Sequence, residues 1–340
     1  MRNTVTSFLA FCICSAALLS GCTPVKGNEY SRTLPVMGTY LQVKLGDPAV
    51  SREKALNAID EAFRLAEYLE KVLSIYYPDS EVNVLNRSKS LNASEDLYSV
   101  ISIAEKIGRS TDGGFDITVA PVMRDSGLYA ALPEKIRDTI PAGYGGLGWR
   151  NVEIDRAGRK IELRNGAWVD LSGIAKGYIV DRIYGLFREK GIKGVLVNAG
   201  GDMYCGPRPG GKPWNIGVRD PGSGSIAIVL RIYEGAVATS GDYENVVFNE
   251  AAGSYFSHII DPGSEVPLIE APSGITVITG SAARADALAT GMMAMGPERA
   301  VLLAELQDDV EVLVIDEKNG EKRTVFSKGA ERYFPGEYLK

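Results

Sequence analysis

Residues 169–202 read VDLSGIAKGYIVDRIYGLFREKGIKGVLVNAGGD, and the order of elements in this stretch decides the fold. Trp168–Leu171 is a short β-leaning run that Ser172-Gly173 breaks. From Ile174 onward the apolar residues Ile179, Ile183, Leu186 and Phe187 keep a helical period. Gly191 ends that helix, Val195–Val197 is the next strand, and Ala199-Gly200-Gly201 closes it with a turn. Lys176 falls in the first helical turn, where a cation meets the positive end of the helix dipole. A solvated surface lysine would tolerate that position. An anion bound at the same terminus would make it favourable, because backbone N–H groups and a lysine together suit phosphate.

Outward from this stretch, the pattern alternates between helices and hairpins. Thr39–Leu45 alternates as a strand. Ser51–Leu73 is a helix with Ser51 as N-cap and Leu56, Ile59, Phe63, Ala66, Leu69 and Leu73 on one face. Ser94–Ser110 is a second amphipathic helix, ended by Gly113-Gly114. Phe115–Val119 reads as a buried strand carrying an acid, and Asn151–Asp155 with Lys160–Arg164 as a hairpin. Strands are expected at Trp214–Val218, Ile226–Ile232, Ala236–Thr239, Val246–Phe248, Tyr255–Ile260 and Gly274–Ile278. Helices follow at Ala282–Met295 and near Glu298–Leu306, then a hairpin of Glu311–Ile315 and Lys322–Phe326 around Asn319-Gly320. Long helices beside antiparallel hairpins predict an α+β fold of largely antiparallel strands with flanking helices, not a doubly wound sheet.

The first residues read as a targeting segment. Arg2 gives a charged start, Val5–Leu19 an apolar core too short to span a bilayer comfortably, and Leu19-Ser20-Gly21-Cys22 a lipobox-like exit. The expectation is a signal peptide over 1–21, an acylated Cys22 carrying palmitate-type chains, a polar tether over 22–33, and one domain over 34–340. Such a lipoprotein would be membrane-anchored and face the periplasm or the cell exterior. Cys12 and Cys14 would leave with the signal, so Cys205 would have no disulfide partner and the fold would depend on its core. The formal charge of −6 becomes −7 once Arg2 is lost, and no basic-aromatic stripe appears, which argues against nucleic acid as a partner.

Three features could carry chemistry. The sequence holds one histidine, His258, at a strand end beside Ser257 and near Asp261-Pro262. It is the natural candidate for a near-neutral base. Asp286 and Thr290 are four residues apart on a helix rich in Ala and Leu, which puts a carboxylate and a hydroxyl on one inward face. A buried carboxylate needs a partner, and hard oxygen donors of this kind suit Mg²⁺. Thr239-Ser240-Gly241-Asp242 is a small-residue turn able to contact phosphate. No Walker loop, Rossmann fingerprint or G-x-S-x-G elbow is present. These residues together point to an exported, lipid-anchored enzyme that acts on a phosphate compound with Mg²⁺.

Met37-Gly38-Thr39, Ser74–Ser80, Gly114–Val119, Asp170–Asp181, Asn198–Asp202, Ala238–Tyr243, Ser257–Pro262 and Ala285–Thr290 occur in the order found in the ApbE family of FAD:protein FMN transferases, which the chain resembles from about Leu34 to its C-terminus. The resemblance implies a T-fold-like architecture around one FAD site. It implies that the diphosphate of FAD is cleaved with Mg²⁺, that FMN is joined to a threonine of an acceptor protein such as a membrane redox subunit, and that AMP leaves. Under it, Met37, Tyr76, Gly114, Phe115, Asp116, Asp170, Lys176 and Ile260 match FAD-contacting positions. Gly173 through its carbonyl, Asp286 and Thr290 match the metal ligands, and His258 matches the base. Ser273-Gly274-Ile275-Thr276 resembles the family's flavin-acceptor sequence only loosely, because Ile275 replaces a small residue, so self-modification is not expected. Two other activities fit the same residues: an FAD pyrophosphatase that uses water in place of threonine, and a flavin-binding lipoprotein without catalysis.

Overall fold

A computed structural model describes residues 29–143, 146–241, 247–249, 254–257, 259–268, 274–318 and 321–335. Its framework is an eight-stranded sheet: β1 (Tyr30–Val36), β2 (Thr39–Leu45), β3 (Val195–Ala199), β4 (Asp202–Cys205), β5 (Gly235–Gly241), β6 (Gly274–Thr279), β7 (Glu311–Lys318) and β8 (Glu321–Phe326). Neighbours in space follow chain order, and every pairing is antiparallel. The sequence encodes the two faces by alternation. Val43, Val197, Val277, Val312 and Val314 point to one hydrophobic cluster, and Leu196, Ile278, Leu313 and Ile315 to another.

The first cluster is covered by helices inserted between β2 and β3 and after β6. These are α1 (Arg52–Leu73), α2 (Glu81–Ser88), α3 (Glu95–Ser110), α4 (Ala120–Asp125), α5 (Glu134–Arg137), α6 (Ser172–Glu189), α7 (Ala282–Met295) and α8 (Pro297–Glu305). The second cluster lies under a hairpin of Trp214–Arg219 and Ile226–Ile232, inserted between β4 and β5. The α+β expectation holds. Ser51 caps α1 as expected, accepting an N–H bond from Lys54, and Ser94 caps α3 in the same way, accepting from Leu97. Among the described residues, no helix is long and apolar enough to cross a membrane.

Several local expectations are corrected. Residues 30–33, assigned to the tether, pair with β2 as part of β1. Phe115–Val119 is not a strand. Asp116 Oδ1 accepts from the backbone N–H (2.8 Å) and hydroxyl (2.7 Å) of Thr118, which closes a turn, and Pro121 then sits in the first turn of α4. Trp168–Leu171 is not a strand either. The Val169 backbone bonds in both directions with the buried Asn86 side chain, at 2.7 and 2.8 Å, instead of with a neighbouring strand. The strand expected over Tyr255–Ile260 is two short ones, Ser254–Phe256 and Ile260–Asp261. Ser257 Oγ accepts from the Ile259 N–H at 3.2 Å between them, a local bond that competes with the ladder. The α2 helix, capped by Ser80, was not foreseen.

The site depends on how closely α6 and α7 approach. A Cβ at Gly177 would lie 2.2 Å from the Ala282 carbonyl oxygen, so only glycine fits there. Alanine in a helix interior ordinarily gains up to about 1 kcal/mol over glycine. Here the clash is with backbone and outweighs that gain. Gly177→Ala is expected to destabilise the fold by on the order of 1–3 kcal/mol, the usual cost of overpacking. Chemical denaturation would measure it, and an unchanged midpoint would show that the helices can separate freely.

Candidate active site

Two helix ends build the site. Asp181 on α6 caps α7: its carboxylate accepts from the backbone N–H groups of Ala282 (2.7 Å) and Ala283 (3.0 Å) and from the Ser281 hydroxyl (2.6 Å). An anion at a helix N-terminus is favourable. With the glycine contact, this clamp fixes which turn of α7 faces which turn of α6. Asp286, only 3% exposed, is thereby set against α6, where its Oδ2 accepts the Gly177 N–H at 3.0 Å.

Lys176 lies between two carboxylates. Its Nζ is 2.8 Å from Asp202 Oδ2 and 3.5 Å from Asp286 Oδ1. Burial alone would lower its pKa, but Asp202 and then Asp286 outweigh burial and raise it above the ordinary lysine value. The ammonium stays charged. The anion expected beside this first-turn lysine is thus supplied, in the free protein, by two side chains.

One turn beyond Asp286, the Thr290 hydroxyl lies 3.4 Å from Ser240 Oγ at the end of β5. A Cβ built on Gly173 would come within 3.6 Å of Thr290 Oγ1 and 3.1 Å of the Phe115 ring. Gly173, Asp286 and Thr290 therefore share one crossing of α6 and α7. Among the described residues, no group of three or more His, Cys, Asp or Glu could hold a metal. The donors at this crossing are a carboxylate, a hydroxyl and a backbone carbonyl, all hard oxygens. That set fits Mg²⁺, which binds through few protein ligands and fills the rest of its shell from water and phosphate.

Of the positions that the resemblance matches to FAD contacts, Gly114, Phe115, Asp170 and Lys176 lie at or beside this crossing. Gly114 and Phe115 pack on α7: a Cβ on Gly291 would meet Phe115 Cβ at 2.9 Å, and one on Gly114 would meet the Gly291 carbonyl at 3.1 Å. Asp116 is buried. Burial raises its pKa, and its bonds from Thr118 oppose that. Asp170 leads directly into α6, where Oδ1 accepts the Ser172 N–H at 2.8 Å and Oδ2 accepts from the Tyr129 hydroxyl. Its pKa is raised by burial and held back by those bonds. Tyr129 and Tyr76 are both pushed up by burial first and by the Asp170 charge second, so both phenols keep their protons as donors. Tyr76 is half exposed at the rim. Met37, at a positive φ of 52° in the β1–β2 turn, donates its N–H to Glu70 Oε1 at 2.9 Å. Ile260 is buried and paired with Pro267.

Sequence reasoning gave no role to Asp202, Asp181, Tyr129 or Glu70. Asp202 had two available signals, its place directly after Gly200-Gly201 and its position at the end of the Asn198–Asp202 stretch that carries the resemblance. Cys22 and His258 lie outside the described residues. The neighbours of His258 are tied down: Ser257 N–H donates to the Leu268 carbonyl at 3.0 Å, and Leu268 N–H donates to the Ile259 carbonyl at 2.9 Å. Cys205 is buried, which pushes its thiol up to about 12 and makes it a poor nucleophile. Thr276, in the loosely acceptor-like segment, is buried in β6 with its hydroxyl 2.9 Å from that of Thr239.

The model of the ApbE family matches residues 37–314, which spans every element of this crossing. The chain belongs to the ApbE family. An FAD:protein FMN transferase of Vibrio cholerae is 31% identical over 338 residues, covering 95% of this chain and 96% of the relative. One of Escherichia coli K12 is 29% identical over 86% of this chain and 88% of its own length. Among solved structures, the flavin transferase ApbE of Vibrio cholerae superposes with a TM-score of 0.76 at 27% identity, covering 90% of this chain and 99% of that one. The ApbE protein of Thermotoga maritima gives 0.77 at 27% identity, again over 90% and 99%.

Proposed function

We propose that this chain transfers FMN from FAD to a threonine hydroxyl of a separate acceptor protein, with Mg²⁺ present and AMP released. Flavin transfer itself is supported by family membership and by relatives of that name over nearly the whole chain. The observation that carries the finer reading is the crossing of α6 and α7. There the charged Lys176 lies 3.5 Å from Asp286 Oδ1, and Gly173 packs against Thr290 one turn along from Asp286, which brings a cation and three hard-oxygen residues to one crossing as cleavage of a diphosphate would require.

The residues divide the work. Lys176 binds the anionic diphosphate as a fixed positive charge. Asp286, Thr290 and the Gly173 carbonyl would hold Mg²⁺, which when bound would neutralise charge on the phosphates and the departing AMP. Tyr129 and Asp170, joined by a hydrogen bond, and Tyr76 at the rim orient the flavin-bearing half. His258 accepts the threonine proton as the oxygen attacks the phosphorus of the FMN half. The bond from that phosphorus to the bridging oxygen breaks, and AMP leaves with the electron pair.

Incubating FAD and Mg²⁺ with the protein, with and without an acceptor bearing a threonine site, tests this. Covalent flavin on the acceptor with matching AMP is the expected result. Equal AMP and free FMN in both reactions would mean that water is the acceptor and the activity is a pyrophosphatase. Bound FAD with no AMP in either reaction would leave a binding protein. The acceptor is expected to be a membrane redox subunit, which places the enzyme beside a membrane. Lipid on Cys22 would hold it there. Cys22→Ala is expected to give soluble protein or unprocessed precursor on detergent-phase partitioning, and unchanged partitioning would remove the lipid anchor from the proposal.

A further inference from the structure

Two carboxylates compete for one ammonium where α6 meets α7, and the geometry is uneven. Lys176 Nζ is 2.8 Å from Asp202 but 3.5 Å from Asp286. Of the two Asp286 oxygens, Oδ2 is engaged by the Gly177 N–H, and Oδ1 is the one that faces the lysine. Oδ1 is therefore the oxygen a metal would take, and a lysine in full contact with it would block the metal.

The turn that delivers Asp202 is built for this placement. Gly200 and Gly201 have φ of +62° and +109°, and a Cβ on Gly200 would lie 2.6 Å from Thr39 Oγ1. Gly200 N–H donates to the Tyr40 carbonyl at 3.1 Å, and Gly201 N–H to Asn198 Oδ1 at 2.9 Å. These bonds set Asp202, 3% exposed, at the start of β4 facing α6. A buried carboxylate in that position needs a cation, and a part-buried ammonium goes to the better-placed anion.

We propose that Asp202 is a positioning residue that holds Lys176 away from Asp286 and so keeps a metal ligand open. The inference rests on the Mg²⁺ reading of the proposed function. In the free protein, Asp202 carries the lysine. With its charge removed, the ammonium moves onto Asp286 Oδ1 and competes directly with Mg²⁺.

The test is calorimetric titration of the full chain in detergent with Mg²⁺ alone, without FAD. Asp202→Asn keeps the side-chain shape, and the Mg²⁺ dissociation constant is expected to rise about 10–100-fold, the range for loss of a group that supports a ligand. Asp202→Glu restores the charge and is expected within about threefold of wild type, well below that range. It also decides the matter if the asparagine variant does not fold. Adding Lys176→Met is expected to improve Mg²⁺ affinity at least about tenfold more in the Asp202→Asn background than in wild type, as for residues that interact directly. Independent effects of the two substitutions, or an Asp202→Glu protein as weak as the asparagine variant, overturn the inference while the metal reading stands. A wild-type protein that binds no Mg²⁺ overturns both.

Discussion

Asp286→Ala is expected to abolish AMP release from FAD while leaving most of the fold in place. The carboxylate sits in tight packing, where Gly177 and Gly291 admit no side chain. Alanine is smaller and apolar, and α7 is already rich in alanine at this level, so the substitution introduces no clash. Two polar groups lose a partner. Gly177 N–H no longer has Oδ2 to donate to, at a cost of about 1–3 kcal/mol if the donor stays buried and unsatisfied. Lys176 loses its weaker contact but keeps Asp202 at 2.8 Å, so no charge is stranded. The metal loses more. Of the three proposed protein ligands, Asp286 alone brings a negative charge. Its removal should cost at least about 10–100-fold in Mg²⁺ affinity, since even residues behind the ligands cost that much. AMP release measured across a range of Mg²⁺ concentrations, beside a thermal melt, separates the two effects. Normal turnover at low Mg²⁺ would assign Asp286 to structure.

The part of this site that sequence reveals is the part written in local spacing. Asp286 and Thr290 announce themselves by a four-residue interval on an alanine-rich helix, and Lys176 by an unfavourable place in a helix dipole. Helices α1, α3 and α7 and six of the eight sheet strands are legible for the same reason, their periods lying within one window of sequence, whereas β1 and the short β4 are not. What stays hidden depends on contacts across the chain. Lys176 and Asp286 are 110 residues apart in sequence, and Asp202 meets Lys176 from the start of β4, a third element. The Phe115–Val119 strand was misread because its apolar alternation is real, while the Asp116–Thr118 bonds that turn it are made by the residues in between. Trp168–Leu171 was misread because its backbone partner is the Asn86 side chain, 83 residues away, which no periodicity records. Asp181 illustrates the same limit. In sequence it is one more polar residue on a helix, and its role as the cap of α7 appears only when the two helices meet.

His258→Asn is expected to leave FAD affinity close to wild type and to lower flavin transfer by at least roughly 10²-fold, the lower end of what a general base contributes. A threonine hydroxyl attacks phosphorus poorly until its proton is accepted, and this chain offers few groups to accept it. The sequence contains no second histidine. The Cys205 thiol is buried and pushed up to about 12, which keeps it protonated at neutral pH and away from substrate. Asp261 is near in sequence, but its carboxylate already accepts from the Gly263 N–H at 2.9 Å and the Ser264 hydroxyl at 2.6 Å. Ser257 and Ile259, on either side of His258, are both joined to Leu268 by backbone bonds that the substitution does not remove. Asparagine keeps part of the size and hydrogen bonding and lacks a base. An imidazole that has already gained a proton cannot take another, so wild-type transfer should also fall as the medium is acidified, and that dependence should vanish in the variant. The assignment is falsified if His258→Asn transfers flavin at near wild-type rate. A variant that loses FAD binding and transfer in equal measure would place His258 in the binding pocket and leave Asp261 as the next candidate, because a base acts on the attack and not on the affinity for FAD.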